Sequence, residues 1–194
     1  MREMLKLFLT IVVFSAVAGG LLATVRSATR DRIEFQQLVF VKGPTIRHIM
    51  EGSSNNPVEN SFKLVDGDVE RTFFKGKFDG SFNTVAFETH AAGYGGEIGV
   101  IAAINIDTDR IVGVGVTTHS ETPGVGSRAK TDPSFSRQFE GLPVAKPFSV
   151  KADGGEIDAL SGATITSRGV CAAVSEIADT YTRLKDKILT EMKS

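Results

Sequence analysis

The chain has 194 residues, 23% of them charged, and a formal net charge of -1. That length supports one compact domain with a modest appendage but not comfortably two, and the near-neutral balance offers no basic field for a polyanion, which disfavours nucleic-acid binding. The single cysteine, Cys171, excludes an internal disulfide, a CxxC redox pair, a CxxCH haem site and an iron-sulfur cluster ligated by thiolates of this chain alone, so any redox chemistry must use another cofactor.

From Leu7 to Val25 the sequence reads LFLTIVVFSAVAGGLLATV, without a charged residue. At roughly 1.5 Å per residue this is about the length that crosses the hydrocarbon layer. Lys6 and Arg26 close its ends, where long cationic side chains reach head groups. A cleaved signal peptide is the rival reading, because Arg2 and Lys6 make a basic start and Ala16-Val17-Ala18 resembles a cleavage site. The apolar run continues well past Ala18, which favours an uncleaved anchor. With Arg2 and Lys6 before it and Arg26, Arg30 and Arg32 after it, flanking charge does not orient the segment.

Between Ala28 and Met50, Ile33, Leu38, Val39, Ile46 and Ile49 line an intermittent helical face broken at Gly43-Pro44. This reads as a stalk or first helix, and Gly52–Ser61 reads as a loop. Strand candidates follow at Phe62–Val65, Thr72–Lys77 and Thr84–Thr89. The clearest pair is Ile98–Ile106 with Arg110–His119, two Val- and Ile-rich runs joined by Asp107-Thr108-Asp109 as a β-hairpin. Gly99, Gly113 and Gly115 in those strands leave room for another backbone or a flat ligand. A short helix is expected from Asp132, with Pro133 in its first position and Phe135 and Phe139 four apart. Val170, Ala173, Val174, Ile177, Ala178, Tyr181, Leu184 and Ile188 then predict an amphipathic helix of about five turns, on which Cys171 reads as a small buried residue. The chain divides into an anchor (1–27), a stalk and loop (28–61) and a domain (62–194) of the α+β class, with antiparallel strands and a long C-terminal helix.

The chemistry concentrates in Asp158–Val170, DALSGATITSRGV, at the start of that helix. A helix N-terminus presents unpaired N–H groups and a positive dipole end, so a phosphate is held favourably there, and Gly162 and Ala163 let it come close. The plainer alternative is an N-cap by Thr164, Thr166 or Ser167. A Walker A loop is excluded, since no G-x-x-x-x-G-K-[ST] occurs. A second stretch, His119-Ser120-Glu121-Thr122-Pro123-Gly124-Val125-Gly126, leaves a strand end, where ligand loops are carried. A third, Gly93-Tyr94-Gly95-Gly96, precedes the other strand of the hairpin, so two Gly-rich loops flank one hairpin as a cradle for a planar ring.

These three stretches, in this order behind one apolar segment, resemble the FMN-binding domain subunits of membrane electron-transport complexes. The resemblance covers nearly the whole chain and is strongest to the G-type member of Rnf-type (Rsx) complexes; the C-type member of sodium-pumping NADH:quinone reductases is a longer relative. It implies FMN joined covalently to Thr164 by a phosphodiester, with Asp158, Leu160, Ser161, Gly162 and Ala163 forming the motif that a separate flavin transferase reads. Glu121, Thr122, Pro123, Gly124 and Gly126 match the loop that lies against the flavin, and His119 and Tyr94 fall within the matching stretches. Arg168 could stabilise the phosphodiester, leaving Thr166 or Ser167 to cap the helix. The resemblance further implies a single-pass inner-membrane protein with its FMN domain on the periplasmic side. Such a chain is an electron carrier without a complete active site or metal site of its own, in a complex coupling electron transfer between NADH and ferredoxin to ion translocation. Two alternatives remain at this point: a C-type quinone reductase component, and a membrane-anchored module that binds flavin or phosphate noncovalently.

Overall fold

The computed structural model describes residues 2–193, apart from the side chains of Asp31 and Glu34, and the chain forms two compact units that divide between Phe40 and Val41. In the first, helix α1 (Arg2–Gln37) carries the apolar run. Its large apolar side chains, among them Leu7, Phe8, Ile11 and Phe14, are exposed on every side, the pattern of a helix whose solvent is lipid. The polar interruptions are absorbed within the helix: Thr10 and Thr24 donate their hydroxyls to the Lys6 and Gly20 carbonyls at 2.8 Å, which removes the cost of a bare hydroxyl in hydrocarbon. The helix is long and apolar enough to span a membrane once.

A π-helical turn, Leu38–Lys42, leads into α2 (Gly43–Ile49), which has Pro44 in its first turn, where a missing N–H costs nothing. In the second unit, Ile46, Ile49 and Met50 are buried against one face of a five-stranded antiparallel meander. Its strands are β1 (Ser61–Asp66), β2 (Val69–Phe78), β3 (Ser81–Ala92), β4 (Glu97–Asn105) and β5 (Arg110–Val116), each paired with the next. The room at Gly113 and Gly115 is taken by α2. A Cβ on Gly113 would lie 2.9 Å from the Ile49 carbonyl oxygen, and one on Gly115 would meet the Thr45 methyl.

Along β5 the alternate residues Val114 and Val116 point the other way, into the main core. That face is covered by α5 (Thr164–Met192), which packs on β3 and β4. With a helix on each face, β3 and β4 are buried nearly continuously, from Asn83 to Phe87 and from Ile98 to Ile104, as expected for strands covered on both sides. Cross-links tie α5 to the sheet: Thr89 donates to the Ala173 carbonyl at 2.9 Å, Tyr181 to Asp109 at 2.6 Å, and Arg183 forks onto Asp66 at 2.9 and 2.7 Å. Cys171 is buried in this interface, and burial pushes its thiol up to about 12, so it is inert.

The expected elements are present with changed ends. β5 stops at Val116 instead of reaching His119, although the Thr117 N–H and the Thr118 carbonyl still pair with Gly99 at 2.8 Å. α5 is longer than five turns, because the Ser- and Thr-rich stretch is already helical from Thr164. Between β5 and α5 lie α3 (Arg128–Thr131) and α4 (Pro133–Ser136), the latter continued by a 3-10 turn. Asp132 caps α4, accepting the Ser134 N–H at 3.1 Å, and the Phe135 and Phe139 rings meet edge-on with centroids 5.9 Å apart.

Candidate functional site

Three loops converge at the start of α5: the tight turn Gly93–Gly96 after β3, the segment following β5, and Asp158–Ala163. What joins them is Glu121, only 6% exposed. One of its carboxylate oxygens accepts the Thr166 hydroxyl at 2.5 Å and the other accepts the Gly95 N–H at 2.9 Å. Its own N–H donates to His119 Nδ1 at 3.2 Å. Gly93 and Gly126 make room for this carboxylate: a Cβ on either would collide with it, and one on Gly126 would also lie 2.9 Å from the Thr166 hydroxyl.

Burial works to raise the pKa of Glu121. The Thr166 hydroxyl, the backbone N–H groups of Gly95 and Tyr94, and the charge of His119 outweigh it and hold the carboxyl below its ordinary range. Asp66, bonded chiefly by Arg183, is likewise lowered. In Asp109, Lys185 and Tyr181 overcome burial to the same effect. A carboxylate whose folded pKa lies below its unfolded value, about 4, contributes stability that is fully present above that value and is lost as pH falls through the folded pKa. Thermal midpoints followed by circular dichroism should therefore hold steady from pH 7 to about pH 5 and fall steeply below about pH 4, and in Glu121→Gln that fall should be shallower.

Beside the Glu121 clasp lies an open cleft of about 450 Å³. Gly162, Ala163, Thr164, Ile165 and Thr166 form one wall, Glu121, Thr122, Val125 and Gly126 the other, and Tyr94 stands at the rim. Tyr94, Ile165 and Val125 keep 70, 49 and 40% of their surface exposed, so the mouth of the cleft is apolar.

The hydroxyls do not act as helix caps. The N-cap residue is Ala163, which gives no side-chain cap, and the first turn holds no acidic residue, so the leading N–H groups of α5 lack side-chain acceptors. Thr166 and Ser167 lie inside the first turn, where a side chain can no longer reach forward to cap. Thr166 is committed to Glu121. Ser167 donates back to the Ala163 carbonyl and accepts the Leu160 N–H, both at 3.0 Å, which pins the approach to the helix. Thr164 alone of the three opens on the cleft with a hydroxyl that forms no hydrogen bond among the described residues.

Other expected residues stand apart from the lining. Asp158 is exposed, pairs with Lys151 at 2.7 Å, and donates its N–H to Gln138 at 2.6 Å. Leu160 is buried in the core. Ser161, Pro123 and Gly124 are exposed, and the Gly124 N–H donates to Ser127 at 2.8 Å. Arg168 forks onto Asp153, with both contacts at 2.7 Å, and is not among the residues lining the cleft. Val125 and Ile165 were missed as lining residues; the apolar residue placed between paired small or polar ones in each stretch is the signal that would have found them.

Residues 93–179 match the FMN-binding domain family. The chain is 37% identical over 180 residues to the G-type component of the ion-translocating oxidoreductase complex of Methanosarcina acetivorans, covering 92% of this chain and 94% of that one. To the protein of the same name from Pseudomonas aeruginosa it is 29% identical over 201 residues, covering 97% and 93%. The crystal structure of the C-type component of the Na(+)-translocating NADH-quinone reductase from Parabacteroides distasonis shares the fold, with a TM-score of 0.56 at 23% identity over 84% of this chain and 96% of that chain. With one helix fit to span a membrane and likeness along nearly its whole length, the chain belongs to the family of G-type components of ion-translocating oxidoreductase complexes, the Rnf type its motifs resemble, and its FMN-binding domain takes in every residue that lines the cleft.

Proposed function

We propose that this chain is the membrane-anchored, electron-carrying flavoprotein subunit of an Rnf-type complex, with FMN esterified to Thr164 and its domain on the periplasmic side of the inner membrane. The complex as a whole would couple electron transfer between NADH and ferredoxin to ion translocation. The observation that carries the attachment site is the division of labour among the first-turn hydroxyls: Thr166 and Ser167 are tied into the protein, and Thr164 faces the cleft.

The residues present fit FMN. The N–H groups opening α5 suit the single negative charge of a phosphodiester, and the apolar mouth formed by Tyr94, Val125 and Ile165 suits a flat ring system. When bound, FMN supplies one- and two-electron transfer. Thr164 holds it, the loop from Glu121 through Thr122, Pro123 and Gly124 to Gly126 shapes the wall beside it, and His119 fixes the Glu121 backbone. Asp158, Ser161 and Gly162, all exposed, are available to the transferase that reads the motif, while Leu160 and Ala163 anchor that motif to the core. Moving FMN from FAD forms the bond from Thr164 oxygen to phosphorus, breaks the pyrophosphate link, releases AMP and frees the hydroxyl proton.

Intact mass after denaturation, measured on protein made with and without the transferase, tests the reading. A gain equal to FMN less one water, dependent on the transferase and mapped to the Thr164 peptide, is expected. No gain with an active transferase would overturn it.

A further inference from the structure

We propose that Glu121 holds the reduction potential of the flavin low by keeping, in the wall of the cleft, a negative charge that only neutral donors bond. The inference rests on the FMN reading above and assigns the carboxylate a task beyond joining the loops.

Among the residues lining the cleft, Glu121 is the only one ionised at neutral pH, and no lysine or arginine lines it. The groups that bond its carboxylate are neutral, the Thr166 hydroxyl and the backbone N–H groups of Gly95 and Tyr94, and the charge of His119 acts on it without an ion pair. Elsewhere the well-shielded carboxylates are paired with cations: Glu88 with Lys42, and Asp66 with Arg71 and Arg183. Among the described residues Glu121 has no such ion pair. An unpaired buried charge is costly to fold, and a neutral side chain with one acceptor could still hold one of the two loops. The fold nevertheless clears space for a carboxylate by placing glycine at 93 and 126. Neither glycine has a positive φ, so what they provide is room.

The consequence follows from Coulomb's law. An electron added to a ring in this cleft is placed beside a fixed negative charge in a medium less polarisable than water, so the reduced form is disfavoured.

The test uses full-length, flavin-loaded protein in detergent, with attachment verified by mass and the midpoint potential measured by spectroelectrochemical titration. Glu121→Gln should shift the potential to a more positive value, and Glu121→Asp, which keeps the charge, should stay near the parent. Thr122→Lys, on an exposed position of the same wall, should also shift it positive without altering the clasp. An unchanged potential in Glu121→Gln, with flavin attached, would overturn the proposal. Equal shifts in the Gln and Asp variants would overturn it too, because geometry would then be the agent. A parent protein that acquires no covalent flavin with an active transferase would remove the FMN reading itself, which is a separate result.

Discussion

Thr164→Ala should leave a protein that folds normally and never gains the mass of FMN, while Thr166→Val should fold less stably and still gain it. The contrast arises because the two hydroxyls, two residues apart on one helical turn, have opposite commitments. The Thr164 hydroxyl forms no internal hydrogen bond among the described residues, so its removal should change stability by no more than about 0.5 kcal/mol. Thr166 is 1% exposed and donates to the buried Glu121. Valine there keeps the volume but leaves one carboxylate oxygen without its donor, which should cost about 1.5–3 kcal/mol. Urea denaturation gives the stabilities and denatured intact mass gives the attachment. Covalent flavin retained in Thr164→Ala and lost in Thr166→Val would reverse the assignment of the acceptor.

Gly169→Ala should destabilise the protein, although the same change in most helices is favourable. In an exposed helix interior, replacing glycine by alanine gains about 1 kcal/mol through chain entropy. Gly169 is buried where α5 crosses the end of β3, and a Cβ there would stand 2.5 Å from the Ala92 carbonyl oxygen and 3.4 Å from the Gly93 Cα. These are backbone atoms, which cannot rotate aside, so the helix must lift. Overpacking of this kind costs about 1–3 kcal/mol. Because the displaced segment runs directly into the Gly93–Gly96 turn, the Gly95 bond to Glu121 should be strained as well. Urea denaturation should therefore show a net loss of stability, and flavin loading under limiting transferase should slow. A gain in stability would mean that the close crossing of α5 over β3 is wrong.

Features that rest on local pattern were legible in the sequence. The apolar span, the Val- and Ile-rich strands, the Asp132-Pro133 start of α4 and the three-and-four spacing from Val170 to Ile188 each report a repeat that a helix or strand imposes on its own residues. What escaped was non-local. A Ser- and Thr-rich stretch before a helix has the composition of a cap whether or not it caps, and only the position of Glu121, 45 residues earlier in the chain, determines that Thr166 faces inward. The bond from Gly95 to the same carboxylate spans 26 residues. Likewise Gly113 and Gly115 announced a close neighbour, but their spacing could not say that it would be α2. Arg168 looked available to an anion until Asp153, in a turn 15 residues away, was found beside it.

The meander has a consequence for the order in which the molecule is made. Every strand pairs with its immediate predecessor, so the sheet can form hairpin by hairpin from short loop closures. Helix α5 reaches much further back: its cross-links span 72 residues from Tyr181 to Asp109 and 117 from Arg183 to Asp66. The wall that carries Thr164 therefore comes into place only after the last part of the chain has been synthesised and laid across the finished sheet. A chain truncated shortly after residue 170 would present the complete linear motif with no cleft behind it. Comparing such a truncated chain with the full-length protein as transferase substrates would show whether the maturing enzyme reads a string of residues or a folded surface.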